Sequence, residues 1–331
     1  MSGRDTLDRS CVETILITGG AGFIGSHLTD RLVAADRRVV ILDDLSTGSY
    51  ANLEHLVDRP DVEFVLGSIL NTDLVDSLAA RCDRIFHLAA AVGVELIVDR
   101  PLESLQTNIR GSEIVLEKAH KYGRPILVTS TSEIYGKNES ALLHEDDDRV
   151  LGSPLKSRWS YSEAKAIEEI LAYTYWREKG LPTVIVRLFN TVGPRQTGEY
   201  GMVVPRFVRQ ALRGEPLTVY GDGAQRRCFC HVTDVVDTLV RLAWEEQAAG
   251  RVFNVGGNEE VSIKDLAARV VERTGSRSDV RFVPYDEAYE TGFEDMPRRV
   301  PDTSRAHALV GFEPTRTLDE IIDDVMAEQR A

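Results

Sequence analysis

A chain of 331 residues, 43% of them hydrophobic and 28% charged, is long enough for two domains or for one α/β domain with a large appendage. Its net charge of −14 argues against nucleic acid or an anionic membrane as the main partner, and no apolar run reaches bilayer-spanning length. The four cysteines, Cys11, Cys82, Cys228 and Cys230, form no CxxC pair, so the expectation is no metal site, no disulfide framework and a cytoplasmic location.

Polar residues 1–10 lack the apolar core of a signal peptide and are expected to form a loose tail. Residues 15–18 read as a short buried strand. The chain then turns through Gly19, Gly20, Ala21 and Gly22, and Phe23, Ile24 and Gly25 open a helical pattern that runs to about residue 34. Glycines at this spacing let the backbone approach a pyrophosphate, and the helix N-terminus offers the anion unpaired N–H groups. A second strand, 38–42, leads to Asp43, about twenty residues on, where a ribose-binding acid is expected. That carboxylate would repel a 2′-phosphate, which favours NAD over NADP.

Strands at 62–66, 84–88 and 125–129 alternate with helices at 73–80 and 101–120. This β-α-β alternation predicts an α/β, Rossmann-like, doubly wound parallel sheet. Ligands bind beyond the carboxyl ends of such strands, so residues 67–69, 89–91 and 130–133 should converge on one crevice. Residues 139–154 read as a loop whose acidic run, 145–148, is expected to be solvated surface. A helix at 158–179 and a sixth strand at 183–188 follow. The Gly-, Pro- and Arg-rich stretch 189–201 reads as a functional loop. Beyond it come a helix at 203–213, a strand at 217–220, helices at 234–246 and 262–274 around a strand at 251–255, and a last helix at 318–328. The predicted organisation is an NAD-binding domain over 12–188 and a smaller C-terminal substrate-binding lobe over 189–331, with 232–255 packing back on the sheet.

Tyr161 and Lys165 are four apart, which puts both on one helix face. A nearby ammonium favours the phenolate and is expected to lower the tyrosine pKa towards neutrality, making Tyr161 a general base for an alcohol. The hydroxyl of Thr131, just after the fifth strand, could share a hydrogen bond with Tyr161 and the substrate. His87 is expected to pack at its strand end rather than ionise, His231 to be structural, and Cys228 and Cys230 to be buried and inert.

Together these stretches resemble the extended short-chain dehydrogenase/reductases, the nucleotide-sugar epimerase, dehydratase and decarboxylase group. The resemblance runs from about residue 13 through GGAGFIGS (19–26), Asp43, HLAA (87–90), Thr107-Asn108, STSEIYG (130–136), YSEAK (161–165), RLFN (187–190), GPR (193–195) and VYGDGAQRRCF (219–229). It implies bound NAD, a nucleoside diphosphate sugar and transient oxidation at the sugar C4. NAD would meet Gly19, Gly22, Phe23, Ile24, Gly25, Asp43, Asp44, Ser68, Ile69, Leu88, Ala89, Ala90 and Asn108, together with Tyr161 and Lys165. Ser68 stands where the family usually has an adenine-contacting Asp. Substrate would meet Asn190, Arg206, Tyr220, Arg227 and Arg299. Family members commonly dimerise, so a homodimer is expected.

The triplet Thr131-Ser132-Glu133 narrows the reaction. The 4,6-dehydratases place Asp-Glu after the threonine, and simple 4-epimerases usually carry a small residue where this chain has Glu133. Thr-Ser-Glu resembles the UDP-glucuronate decarboxylases, as do RWSYS (158–162), QRRCF (225–229) and GFED (292–295) followed by Arg298, Arg299 and Pro301. The resemblance implies oxidation of UDP-glucuronate to a β-keto acid, loss of CO2 and formation of UDP-xylose. Arg299 would approach the carboxylate and, with Ser132, help reprotonate C5; Glu133 would position water or crowd the carboxylate. UDP-glucuronate and UDP-hexose 4-epimerases remain the alternative, and a non-catalytic NAD sensor disagrees with the intact Tyr161, Lys165 and Thr131.

Overall fold

The apolar runs 15–17 and 39–42 are buried on both faces, the pattern of strands covered on both sides by helices. In the computed structural model, which describes residues 12–91, 100–156, 159–198, 202–288 and 296–330, they form the centre of a parallel sheet. Its strands are β1 (Thr14–Thr18), β2 (Arg38–Asp43), β3 (Val62–Leu66), β4 (Arg84–His87), β5 (Ile126–Thr131) and β6 (Thr183–Leu188). Four short strands follow, β7 (Thr191–Val192), β8 (Leu217–Tyr220), β9 (Arg226–Cys228) and β10 (Cys230–His231), before β11 (Arg251–Val255) returns as the seventh strand of the large sheet. The order is β11-β6-β5-β4-β1-β2-β3, every neighbour parallel. The order reverses between β1 and β4, the switch point beyond which ligands bind in such sheets.

The described α-helices of five or more residues are α1 (Phe23–Val33), α2 (Thr72–Ala80), α3 (Pro101–Leu105), α4 (Ser112–Lys121), α5 (Ser160–Lys179), α6 (Val203–Leu212), α7 (Val232–Trp244), α8 (Ile263–Thr274), α9 (Ser304–Val310) and α10 (Leu318–Arg330). On one face of the sheet, Leu28 of α1 and Leu239 of α7 pack with Ile17, Phe86 and Phe253. On the other, α2, α4 and α5 close over Leu16, Val40, Ile85 and Ile185. A separate core joins Phe207 of α6, Leu266 of α8 and Ile321 of α10. Around it lie small sheets made by β12 (Glu260–Ser262), β13 (Val280–Val283) and β14 (Arg298–Arg299): β12-β9-β14 and β13-β8.

Two departures from the sequence reading have local causes. Residues 101–120 are not one regular helix, because a π-helical turn, Gln106–Gly111, separates α3 from α4. It turns Asn108 inward, and such turns cost helix geometry for the sake of one side chain's position. The acidic run is not uniformly solvated either. Glu145 is buried; its Oε1 accepts from Asn254 N at 2.8 Å and its carbonyl accepts from Arg187 Nη1 at 2.9 Å. Only Asp146 and Asp148 of the run are exposed. Arg158, Gly201 and the 292–295 stretch of the sequence reading lie outside the described residues, as do residues 1–10 and Cys11.

Candidate active site

The glycine turn after β1 is shaped by close backbone approach. Gly19 adopts φ +75°, and a Cβ there would sit 2.7 Å from Ala89 N. A Cβ on Gly25 would overlap the Gly19 carbonyl oxygen and lie 2.7 Å from Gly20 Cα, so only glycine lets α1 start against the turn. Gly22 is the N-cap of α1 and supplies no side-chain cap, which leaves the first-turn N–H groups directed to a cavity of about 690 Å³. At the end of β2, Asp43 accepts from Ala21 N at 2.9 Å and Leu45 N at 2.8 Å. Burial raises its pKa, and these backbone donors oppose the rise. Phe23, Ile24 and Asp44 also border the cavity, with Ile69, Leu88, Ala89 and Ala90 on the facing walls. A glycine cradle, an uncapped helix start and a fixed carboxylate at these positions fit a dinucleotide.

Two residues assigned to the cofactor lie elsewhere. Ser68 is not on the cavity wall; its Oγ accepts from Leu70 N at 3.3 Å, closing a turn while Gly67 and Ile69 face inward. Asn108 is buried behind the wall, where its Oδ1 accepts from Ala91 N at 2.7 Å and its Nδ2 donates to Ala91 O at 3.1 Å. It therefore holds the 89–91 strand end from behind. His87 packs as expected, its Nδ1 2.7 Å from Thr18 Oγ1 and its Nε2 2.9 Å from Ser112 Oγ, and burial pushes its pKa down to about 3.

The second wall is built where β5 ends. Thr131 Oγ1 accepts from Glu133 N at 3.2 Å, capping the single 3-10 turn Ser132–Tyr135. Ser162 Oγ donates to the Glu133 carbonyl at 2.9 Å, tying the first turn of α5 to this strand end. Thr131, Ser132, Glu133, Tyr161 and Lys165 consequently face one cavity. Beneath them Arg187 donates twice to Glu169, at 2.9 and 2.7 Å, and once to Tyr135 Oη at 2.9 Å.

The electrostatics at Tyr161 differ from the expected ones. Burial pushes its phenol well above the ordinary range, and Glu133 and Glu168 push it the same way. The reason is visible at Lys165, whose Nζ donates to Thr129 O at 2.8 Å and to Glu168 Oε2 at 2.7 Å. Its charge is already paired.

At the far end, β14 pairs with β9 so that Arg299 sits beside Arg227. Arg299 Nη1 lies 3.4 Å from both Ser132 Oγ and Glu133 Oε1, and its Nη2 lies 3.3 Å from Asn190 Oδ1. Asn190 is itself fixed by donating to Cys228 O at 2.8 Å. Arg206 stacks 4.4 Å over the Tyr220 ring and donates to Thr218 O at 3.1 Å. Arg227 donates to Arg226 O at 2.8 Å. All five residues assigned to the substrate border the cavity. His231 caps α7 through Thr233 N, and burial raises the thiol pKa values of Cys228 and Cys230.

The structure adds residues that the sequence reading did not assign. Ser130 lies on the wall with its buried Oγ unpartnered by protein, and Thr107, Gln196 and Gln225 also line the cavity. Ser130 had a signal, since it precedes Thr131 at a strand end. Gln196 and Gln225 sit in irregular loops, where no periodicity marks a direction.

Residues 15–256 match the model of the NAD dependent epimerase/dehydratase family. The chain is 40% identical to the UDP-N-acetyl-alpha-D-glucosaminuronate decarboxylase of Bacillus cytotoxicus, covering 90% of this chain and 92% of that one. It is 38% identical to UDP-glucuronic acid decarboxylase 3 of Arabidopsis thaliana, over 92% and 86% of the two chains. The UDP-glucuronic acid 4-epimerase of Bacillus cereus, solved with UDP-glucuronic acid and NAD, superposes with a TM-score of 0.86 at 28% identity, over 96% of this chain and 99% of that one. With the glycine cradle, the Tyr161–Lys165 helix and the sheet order in place, the chain belongs to the NAD dependent epimerase/dehydratase family.

Proposed function

We propose that the protein is an NAD-dependent decarboxylase of a UDP-linked uronic acid, converting UDP-glucuronate to UDP-xylose. The observation that carries this reading is the position of Arg299, a guanidinium set among Ser132, Glu133 and Asn190 in the same cavity as Tyr161. A carboxylate on the sugar C5 calls for such a partner, whereas a neutral hexose does not. NAD held in the glycine cradle would accept the C4 hydride and return it at the end of the cycle.

Tyr161 Oη takes the proton of the C4 hydroxyl as the hydride departs, and the Thr131 hydroxyl shares that hydrogen bond. The C4 ketone makes the sugar a β-keto acid. The bond from C5 to the carboxyl carbon then breaks, its electron pair moving into a C4–C5 enolate whose oxygen the Tyr161 phenol faces. Arg299 orients the carboxylate before it leaves. With Ser132, Arg299 borders the place where C5 takes up a proton, and Glu133 would order water there or crowd the carboxylate. Tyr161 finally returns its proton to the C4 oxygen.

The test is incubation of the purified chain with NAD and UDP-glucuronate, read by mass spectrometry and proton NMR. CO2 release and a xylose spectrum are expected; an unchanged mass with an axial C4 hydroxyl would instead establish epimerisation. UDP-N-acetylglucosaminuronate belongs in the same assay, since the Bacillus cytotoxicus relative is named for it.

We further infer a cytoplasmic homodimer. The α5 residues Ile167, Ile170 and Tyr173 point outward, and Ile170 is 62% and Leu102 of α3 68% exposed, an apolar face suited to a second copy. No described helix is long and apolar enough to cross a membrane, and the described cysteines are free thiols. Light scattering giving a monomer mass at working concentration would rule the dimer out.

A further inference from the structure

The catalytic wall holds a buried acid that the reaction above does not use. Glu168 lies three residues beyond Lys165 on α5, fully excluded from solvent, and its Oε2 accepts from Lys165 Nζ at 2.7 Å. Its Oε1 is 3.7 Å from His87 Nε2. The polar and charged groups that face it come from every side. On α5 they are Lys165, Tyr161 and Glu169, the last committed to Arg187. From β4 comes His87, kept neutral by burial, and from α4 comes Ser112, whose hydroxyl is 2.9 Å from that ring. Glu133, in the turn after β5 and 3.4 Å from Arg299, acts on Tyr161 instead.

A lone ammonium about 4–6 Å from a phenol lowers the phenol pKa by roughly 1–3 units. An ammonium with a carboxylate 2.7 Å away presents a dipole instead, whose field falls off faster and largely cancels at the phenol. We propose that Glu168 is a positioning residue for the base: by neutralising Lys165 it sets the pH above which Tyr161 can accept a proton. Burial of Tyr161 and the charge of Glu133 act in the same direction. Glu168 differs from Glu133 in lying behind the wall, so its removal alters the charge and not the cavity lining. The inference rests on Tyr161 being the base, and the experiment therefore reads Tyr161 itself as well as turnover.

Tyrosinate absorbance is titrated without substrate in the native chain, Glu168→Gln and Tyr161→Phe; the step missing from Tyr161→Phe belongs to Tyr161. The expected result is a Tyr161 step at least about one pH unit lower in Glu168→Gln, with the acid limb of kcat moving by the same amount. A step at the native pH or higher overturns the inference. A shifted step in a protein that turns over no UDP-uronate overturns the reading of the reaction and supports this one. Should Glu168→Gln fail to fold around a lone buried ammonium, Lys165→Met/Glu168→Gln removes both charges. Tyr161 should then titrate within about half a unit of native, and a step more than about one unit higher overturns the inference. In Glu168→Gln a purely structural role would lower stability and leave the titration unmoved.

Discussion

Replacing Arg299 with Met keeps side-chain bulk and removes the guanidinium. Its three contacts with Ser132, Glu133 and Asn190 are all 3.3–3.4 Å long, at the outer edge of hydrogen bonding. Losing these contacts should therefore cost the folded protein about 1 kcal/mol, which for a chain of this size lowers Tm by about 1–2 °C. The reaction should lose far more. A charge-assisted hydrogen bond to the substrate carboxylate is worth about 1.5–3 kcal/mol, so kcat/KM for UDP-glucuronate should fall roughly 10- to 150-fold. The control is the NADH formed from UDP-glucose, which has no carboxylate and should be oxidised by variant and native protein alike within about threefold. Activity is read as CO2 release with UDP-glucuronate and as NADH absorbance with UDP-glucose. An equal loss on both sugars, or no loss on the acid, would refute the assignment of Arg299 to the carboxylate.

Gly25→Ala should abolish measurable NAD binding by calorimetry while the rest of the fold survives, because its methyl would overlap the Gly19 carbonyl and overpacking of this kind costs about 1–3 kcal/mol locally. If the Asp43 carboxylate binds the ribose hydroxyls, NAD affinity should weaken as pH falls into the mildly acidic range. Burial raises the folded pKa of that group, so protonation and loss of binding begin at a higher pH than for an ordinary aspartate; affinity unchanged down to the normal aspartate range would contradict this. Arg187→Met should cost about 3–5 kcal/mol in urea unfolding, as it strands the nearly buried Glu169 and removes the contact with Tyr135; a loss under about 1 kcal/mol would count against the buried network as a support of the wall.

Much of the fold was legible because its signals are local. The strands at 62–66, 183–188, 217–220 and 251–255 fall where apolar runs end at turn residues. The glycine turn declares itself through spacing that only a backbone needing close approach requires. Local patterns say little about partners distant in sequence. Ser68 looks like a cofactor ligand from its place at a strand end and Asn108 from the family resemblance, yet an i+2 turn folds Ser68 away and a π-turn sends Asn108 behind the wall. Glu145 reads as surface within an acidic run, and only the tertiary fold brings it to Asn254, 109 positions away. Glu168 did carry a signal, standing on the helix face of Lys165 three residues on. Its effect on Tyr161 depends on the depth of burial, which periodicity does not report.

Decarboxylation in deuterated water tests the central claim most directly. An enolate that loses CO2 and is protonated at C5 predicts UDP-xylose carrying one solvent deuterium at C5 and none at C4, where the returned hydride keeps its original hydrogen. A product that retains the carboxyl carbon and bears no deuterium at C5 would contradict it.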